Sequence, residues 1–127
     1  MKNNVLWMLG LLLFNAAVLS AQTTAPDKNP EYPGGQNVLM QYLAKNISYP
    51  AAARNAKAEG TVIVKFIVEA DGRISNISAL NKGPLLHGDL IKEALRVVKL
   101  MPKWMPGEKE GKPVASEMVV PIKFKLQ

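Results

Sequence analysis

The most regular pattern of hydrophobic and polar positions lies in the stretch "TVIVKFIVE" near the middle of the chain. Val62, Val64, Phe66 and Val68 alternate onto one face, as in a strand buried on one side. The opposite face mixes apolar and polar side chains, namely Thr61, Ile63, Lys65, Ile67 and Glu69. This stretch therefore predicts a strand with one richly apolar face and one partly covered face.

Asp71-Gly72 follows this strand and predicts a tight turn, because glycine takes positive backbone angles without steric cost. A return strand is expected over residues 73–80. Its alternation slips between Ile74 and Ile77, which predicts a bulge.

Three stretches have the three-to-four spacing of a helix face. The first opens at Gly34-Gly35 and carries Val38, Leu39, Tyr42, Leu43 and Ile47. The second is the short "AAARNAKA", for which Pro50 suits the first helical position. The third has Asp89 as its expected N-cap, with Glu93 also favoured in the first turn by the helix dipole, and ends before Pro102. Its apolar stripe is Ile91, Ala94, Leu95, Val98 and Met101, and Lys92, Arg96 and Lys99 face away.

A last strand is predicted over residues 115–126, with one apolar face made of Met118, Val120, Ile122, Phe124 and Leu126. Pro121 cannot donate to a ladder, so this strand is expected at a sheet edge or with a bulge. The pattern as a whole predicts an α+β fold, a three-stranded antiparallel sheet with two or three helices packed on one face.

The stretch "MPKWMPGEKEGKPV" raises the question of a binding site. Pro102 ends the helix, Pro106-Gly107 turns the chain, and Gly111-Lys112-Pro113 turns it again into the last strand. Trp104 between these turns is expected to fill the gap between helix and sheet. The cluster is therefore interpreted as structural, together with Gly60, Asp71 and Gly72.

The N-terminal residues divide the chain. Residues 1–21 have a positive start, a short apolar run and small residues near Ala21, which is typical of a cleaved signal peptide; an uncleaved anchor is the alternative. Residues 22–33 are polar and proline-bearing and predict a short linker, and residues 34–127 are expected to form the domain. We therefore expect an exported, periplasmic protein that meets a membrane only if the N-terminal segment is retained.

Composition argues against catalysis and metal binding. The chain has 127 residues, a formal net charge of +6, one histidine and no cysteine. His87 lies in a loop with no cysteine and no cluster of carboxylates at ligand spacing, so no metal site, catalytic residue or cofactor is predicted. The basic residues are spread along the chain, and an exported protein rarely meets nucleic acid, so a nucleic-acid partner is not expected.

The stretch "YPGGQNVLMQYLAKNISYPAAARNAKAEGTVIVKFIVEADGRISNIS", followed by "DLIKEALRVVKLMPKWMPGEKEGKPV" and "VVPIKF", resembles the C-terminal domain of TonB proteins, most of all those of the Bacteroidetes. The resemblance runs from about Tyr32 to Leu126. It implies a domain that binds a short extended segment, the TonB box, of an outer-membrane transporter by adding it to a sheet edge.

The resemblance also implies which residues bind the partner. By position, the accepting edge is the last strand, residues 118–124, and a second contact is the stretch before the second helix, where Tyr49 and Pro50 match in identity. The residues implied are Asn46, Ile47, Ser48, Tyr49, Pro50, Met118, Val119, Val120, Ile122, Lys123 and Phe124. Val120→Pro is expected to remove a ladder donor, and normal peptide binding by a folded variant would show that the last strand is not the docking edge.

Other readings stay open at this point. TonB proteins carry an N-terminal membrane helix with a histidine and a long proline-rich tether, whereas residues 1–21 contain no histidine and the predicted linker is short. We therefore expect transporter binding without energy coupling, and a homodimer stays possible. The alternative is a structural or regulatory protein whose basic surface binds cell-wall polymer or anionic outer-membrane lipid.

Overall fold

The computed structural model describes residues 25–81, 83 and 86–127, so the signal peptide or anchor predicted for residues 1–21 lies outside the described residues. The described chain contains three helices and five strands. The helices are α1 (Gln36–Asn46), α2 (Ala51–Asn55) and α3 (Gly88–Lys99), and the strands are β1 (Gly60–Val68), β2 (Ile74–Ala79), β3 (Gly107–Lys109), β4 (Lys112–Val114) and β5 (Ser116–Phe124).

The main sheet is antiparallel and has the strand order β2-β1-β5. Strand β1 is central, and its register with β5 runs unbroken from Gly60 opposite Phe124 to Val68 opposite Ser116. The predicted α+β class and three-stranded antiparallel sheet are confirmed.

Strand β2 contains the bulge that its slipped alternation predicted. Lys65 lies opposite Ser78 whereas Ile67 lies opposite Ser75, so β2 has one residue more than β1 over this interval. Asn76 takes up the extra length with a φ of 51°, a left-handed conformation that asparagine tolerates better than most residues. With six residues and this bulge, β2 is shorter and less regular than the nine-residue β1.

The core lies between the sheet and the helices. The alternating residues Val62, Val64, Phe66 and Val68 of β1 are fully buried, and helix α3 covers them with Leu90, Ala94, Val97 and Val98. Residues on the other face of β1 are only half-buried. The helices therefore pack on one face of the sheet, and the opposite face carries no helix from the described residues.

Helix α3 is rotated relative to the stripe that its sequence suggested. Leu90 and Val97, outside the predicted stripe, are fully buried, whereas Ile91 and Leu95 are only half-buried. The N-cap is His87 and not Asp89: the His87 Nδ1 atom accepts a hydrogen bond from the Asp89 N–H, at 3.1 Å. An imidazole nitrogen thus satisfies a free N–H in the first turn, the role expected of the carboxylate.

Helix α2 begins one residue later than expected. Pro50 occupies its N-cap, with extended backbone angles, and Ala51 is the first helical residue. The difference is small, because in either position proline gives up a hydrogen bond that no earlier helical turn could supply.

A second, small sheet was missed by the sequence pattern. Strands β3 and β4 pair as a hairpin whose two tip residues, Glu110 and Gly111, both have positive φ, as in the tight turns that suit twisted strands. Part of the predicted linker joins this hairpin, with backbone bridges from Lys28 to Glu108 and from Glu31 to Met105. Tyr32 follows and is buried in the core.

Trp104 anchors this region to the sheet, as predicted. Its side chain is buried, with edge-on contacts to Tyr32 and Phe66 at ring-centroid separations of 5.6 and 5.2 Å. Its backbone N–H donates to the carbonyl of Gly72 in the β1–β2 turn, at 2.8 Å. A Cβ atom on Gly72 would collide with the Trp104 carbonyl oxygen, so this turn requires glycine both for its φ of 92° and for space.

Gly107 and Asp71 also serve local geometry. A Cβ atom on Gly107 would collide with Ser116 Oγ and crowd the Lys28 carbonyl oxygen, at 3.0 Å, so glycine lets three chain segments meet. Asp71 accepts from the backbone and side chain of Arg73, and these hydrogen bonds hold the pKa of its carboxyl below the usual range. Gly60 opens β1 opposite Phe124, and Pro106 lies half-buried before β3.

Candidate functional site

The direction of the backbone N–H and C=O groups in β1 shows which side of β5 is free to pair with another strand. The Ile63 carbonyl accepts from Leu80 N–H at 2.8 Å, and the Ile63 N–H donates to the Asn81 side chain at 2.8 Å, so both groups point toward the β2 side. Backbone groups alternate in direction along an extended strand. The even-numbered residues of β1 therefore direct their N–H and C=O groups at β5.

The unbroken register transfers this alternation to β5. Even-numbered β1 residues lie opposite even-numbered β5 residues, so the backbone groups of Val120, Ile122 and Phe124 point back at β1. The odd-numbered residues direct theirs away from the sheet. No strand among residues 25–81, 83 and 86–127 pairs with β5 on that side.

We call this side of β5 the outer edge, formed by the backbone groups of Glu117, Val119, Pro121 and Lys123. It offers N–H donors from three residues and carbonyl acceptors from all four, since proline has no N–H. All four side chains are exposed, with Val119 43% exposed. An extended edge of this kind is a template for another strand.

The strand residues implied by the TonB resemblance divide between the core and the outer edge. The side chains of Val120, Ile122 and Phe124 are buried, Met118 is half-buried, and Val119 and Lys123 are exposed. Glu117 lies on the outer edge but was missed, because hydrophobic alternation marks the buried face and gives no sign of hydrogen-bond direction. The Val120 N–H faces β1, so Val120→Pro would remove a donor of the β1–β5 ladder and leave the outward donors in place.

Residues 46–50, the second implied contact, lie beside the end of β5. The ring of Tyr49 packs edge-on against Phe124, with 5.7 Å between ring centroids, and its hydroxyl donates to the Ala58 carbonyl. The Arg54 guanidinium lies 5.1 Å from the centre of the same ring. Tyr49 thereby joins the segment to the last residue of β5.

Glu93 fixes the other half of this segment. It is the buried carboxylate of α3, 9% exposed, and its Oε2 atom accepts from the Ser48 N–H at 2.7 Å. Arg96 donates to both carboxylate oxygens at 2.7 Å and to the Asn46 carbonyl at 3.0 Å. The sequence suggested only a favourable first-turn acid for Glu93 and a solvent-facing Arg96, because the backbone groups of Ser48 and Asn46 that they bind lie about 50 residues away along the chain.

The Arg96 hydrogen bonds are the main cause of a lowered pKa for the Glu93 carboxyl; burial opposes them and the Ser48 N–H supports them. Glu93 is therefore charged at neutral pH. Ile47, between the two anchored residues, packs against the core and Ser48 is exposed. The Glu93–Arg96 ion pair holds residues 46–48 in place, and the packing of the Tyr49 ring against Phe124 holds the next residue.

The charges along the outer edge differ from end to end. Near the start of β5, Glu117 lies 3.7 Å from Lys65 on the helix-free face. At the other end, a shallow depression is lined by Glu59, Gly60, Thr61, Lys123, Phe124 and Lys125.

Within the described part of the chain there is no group of three or more His, Cys, Asp or Glu residues able to hold a metal ion.

None of the helices in the described residues has the length and apolar character needed to cross a membrane.

Comparison with known proteins agrees with this architecture. Residues 45–126 match the family described as the Gram-negative bacterial TonB protein C-terminal. The protein TonB of Klebsiella pneumoniae is 32% identical over 108 residues, which cover 84% of this chain but only 40% of that protein. The chain therefore spans less than half of this curated relative.

Solved structures give the same result. Two NMR structures of the TonB C-terminal domain from Helicobacter pylori, which differ in length, superpose with TM-scores of 0.54 and 0.53 at 27% and 26% identity. The matches cover 75% and 71% of this chain, and 87% and 91% of those domains. Because the family model matches residues 45–126, more than half of the chain, the chain belongs to the TonB C-terminal domain family.

Proposed function

We propose that this domain binds the TonB-box segment of an outer-membrane transporter in the periplasm by adding it as a fourth strand to the outer edge of β5. The observation that carries the proposal is the outer edge itself. Strand β5 has nine residues and pairs with β1 without a bulge. Its outer edge has three N–H donors and four carbonyl acceptors, and no described strand pairs with them. Strand addition needs this arrangement.

The neighbouring segment supports the same proposal. Residues 46–50 lie beside the end of β5, and Glu93, Arg96 and Tyr49 hold them in one conformation. A preorganised contact loses little conformational entropy when a partner binds. We infer that the peptide pairs with the strand and contacts residues 46–50 where it passes the end of β5.

The test uses two substitutions at one position of the outer edge. Val119→Pro removes an outward N–H without touching the β1–β5 ladder, and Val119→Thr keeps that N–H while changing the side chain. With a synthetic TonB-box peptide from the host bacterium, isothermal titration should show about a fivefold or greater loss of affinity for Val119→Pro. Val119→Thr should stay within about twofold of the native protein.

The result that would overturn the proposal is a folded Val119→Pro variant, by circular dichroism, that binds the peptide as tightly as the native protein. Salt separates the alternative, binding of cell-wall polymer or anionic lipid by the basic surface. Exposed charges are screened beyond about 10 Å at 0.1 M ionic strength, so charge-driven binding should weaken steeply with salt and ignore peptide sequence. Strand addition should survive that salt and depend on the sequence.

A further inference from the structure

We propose that Pro121 makes the outer edge of β5 selective for a peptide strand over a second copy of the same strand. The selectivity for peptide rests on the proposed function, whereas the suppression of self-pairing can be tested without it.

Pro121 occupies a position where proline costs the fold nothing. It lies opposite Ile63, whose N–H and C=O both point away from β5. The missing N–H of Pro121 would therefore have pointed outward, and the β1–β5 ladder is complete without it. The exposed ring lies between Val119 and Lys123 and divides the row of outward donors into two parts.

The same missing donor affects two possible occupants differently. A peptide brings a full set of N–H groups, so all four outward carbonyls find donors and the complex lacks one hydrogen bond. Two copies of β5 paired edge to edge bring one proline each, and the pair lacks two. Each missing net hydrogen bond lowers the association constant about fivefold. The second missing bond occurs only when two copies of β5 pair, so it weakens self-pairing and leaves peptide binding unchanged.

The edge would be prone to self-pairing without such a residue. Strand β5 is nine residues long, with an unbroken register to β1 and an exposed Val119 beside the half-buried Ile63 and Ile67 on the helix-free face. Long, regular edges with exposed apolar side chains are sites of edge-to-edge association, and proline is one of the devices that prevent it, as are charged residues such as Glu117 and Lys123. A single proline at an outward position lowers this hazard and keeps seven of the eight outward groups.

The experiment restores the donor with Pro121→Val and, without a larger apolar side chain, with Pro121→Ala. Pro102→Val is the matched control, because Pro102 is also exposed and lies outside the strands. Sedimentation equilibrium over a range of concentrations measures self-association, and isothermal titration measures affinity for the TonB-box peptide. Both Pro121 variants should self-associate about 25-fold more strongly than the native protein and bind the peptide about fivefold more tightly.

Three results would overturn the proposal. The first is self-association of the folded Pro121 variants equal to that of the native protein and Pro102→Val. The second is equal strengthening of self-association and peptide binding, which would remove the selectivity. The third is loss of folding in both Pro121 variants, because an outward position tolerates either residue. If the native protein binds no TonB-box peptide, the proposed function fails, while the sedimentation result still decides whether Pro121 suppresses self-pairing.

Discussion

The two edges of the main sheet differ in regularity, and the difference indicates which of them can receive a strand. Strand β2 has six residues, and a bulge with Asn76 in a left-handed conformation interrupts its pairing with β1. Strand β5 has nine residues in unbroken register, with one outward donor removed at Pro121. A bulge twists an edge and spoils its spacing along several residues, whereas an outward proline deletes one bond. The β5 edge is therefore the more regular of the two, and it is the edge at which we propose strand addition.

The largest expected effect comes from the turn that holds β2 against the sheet. In Gly72→Val the new side chain would collide with the Trp104 carbonyl and require a positive φ from a β-branched residue. We expect a loss of about 3 kcal/mol or more in the free energy of unfolding, from strain and overpacking together. Urea denaturation measures it, and Gly83→Val, whose Cβ meets no atom within 4 Å, is the control for an added valine at positive φ. Equal losses in both variants would contradict the role of the collision.

Glu93→Gln should give the next largest effect, because it removes the ion pair that fixes the segment beside the β5 edge. The neutral amide leaves Arg96 without its carboxylate and weakens the acceptor of the Ser48 N–H. We expect a loss of about 2 kcal/mol in the free energy of unfolding, since hydrogen bonds to charged groups exceed neutral ones.

Peptide affinity should fall in the same Glu93→Gln variant, while the β5 edge itself is unchanged. Glu110→Gln, at the exposed hairpin tip, is the matched control and should change stability by less than about 0.5 kcal/mol. Unchanged stability in Glu93→Gln would show that the ion pair does not hold residues 46–48.

Acid should act on the same ion pair in the native protein, with a smaller effect. The folded-state pKa of Glu93 is lowered, chiefly by its Arg96 hydrogen bonds, so its contribution to stability is complete above the usual glutamate pKa of about 4.3. The contribution is lost as the pH falls through the lowered folded-state pKa. Thermal unfolding between pH 7 and pH 3 should therefore show a decline in stability that is reduced in Glu93→Gln. An identical decline in both proteins would assign it to other groups, of which Asp71 is one with a lowered pKa.

The smallest expected effect concerns the irregular edge. Asn76→Val places a β-branched residue at a φ of 51°, and we expect a loss of about 1 to 2 kcal/mol in the free energy of unfolding. Asn76→Gly keeps the bulge without that strain and should lie within about 1 kcal/mol of the native protein. Differential scanning calorimetry distinguishes them. If the two variants are equally stable, the bulge does not require the left-handed conformation at this position.

Much of the fold followed from local patterns. The alternation in β1, the Asp71-Gly72 turn and the slip between Ile74 and Ile77 each predicted a feature that the structure contains. These patterns are local, because side-chain direction in a strand repeats every two residues and a turn is set by a few neighbouring residues. Pro121 likewise marked β5 as an edge strand, which the sheet order confirms.

The features that escaped prediction either depend on partners far along the chain or have only a weak local signal in the sequence. The sequence indicates only a first-turn acid at Glu93, because its partners include Ser48, on another element. The sequence places His87 in a loop because histidine is an uncommon N-cap, and it predicts two turns in place of the β3–β4 hairpin because each strand has only three residues. The direction of the Val120 N–H was also out of reach, since hydrophobicity reports which face is buried and not which neighbour is bonded.

The pairing of residues 27–31 with the β3–β4 hairpin has a mechanical consequence. A pull on the chain before Asp27 would load the bonds of Asp27 and Lys28 to the Glu108 carbonyl first, then those between Glu31 and Met105, and only then the buried ring of Tyr32. We expect residues 27–31 to detach from the hairpin one hydrogen bond at a time, at low force, before the core unfolds. A single-molecule pulling trace with one cooperative step and no early extension would contradict this order. Because β5 lies in the other sheet, residues 27–31 can detach and extend the chain under tension while the outer edge of β5 keeps its shape.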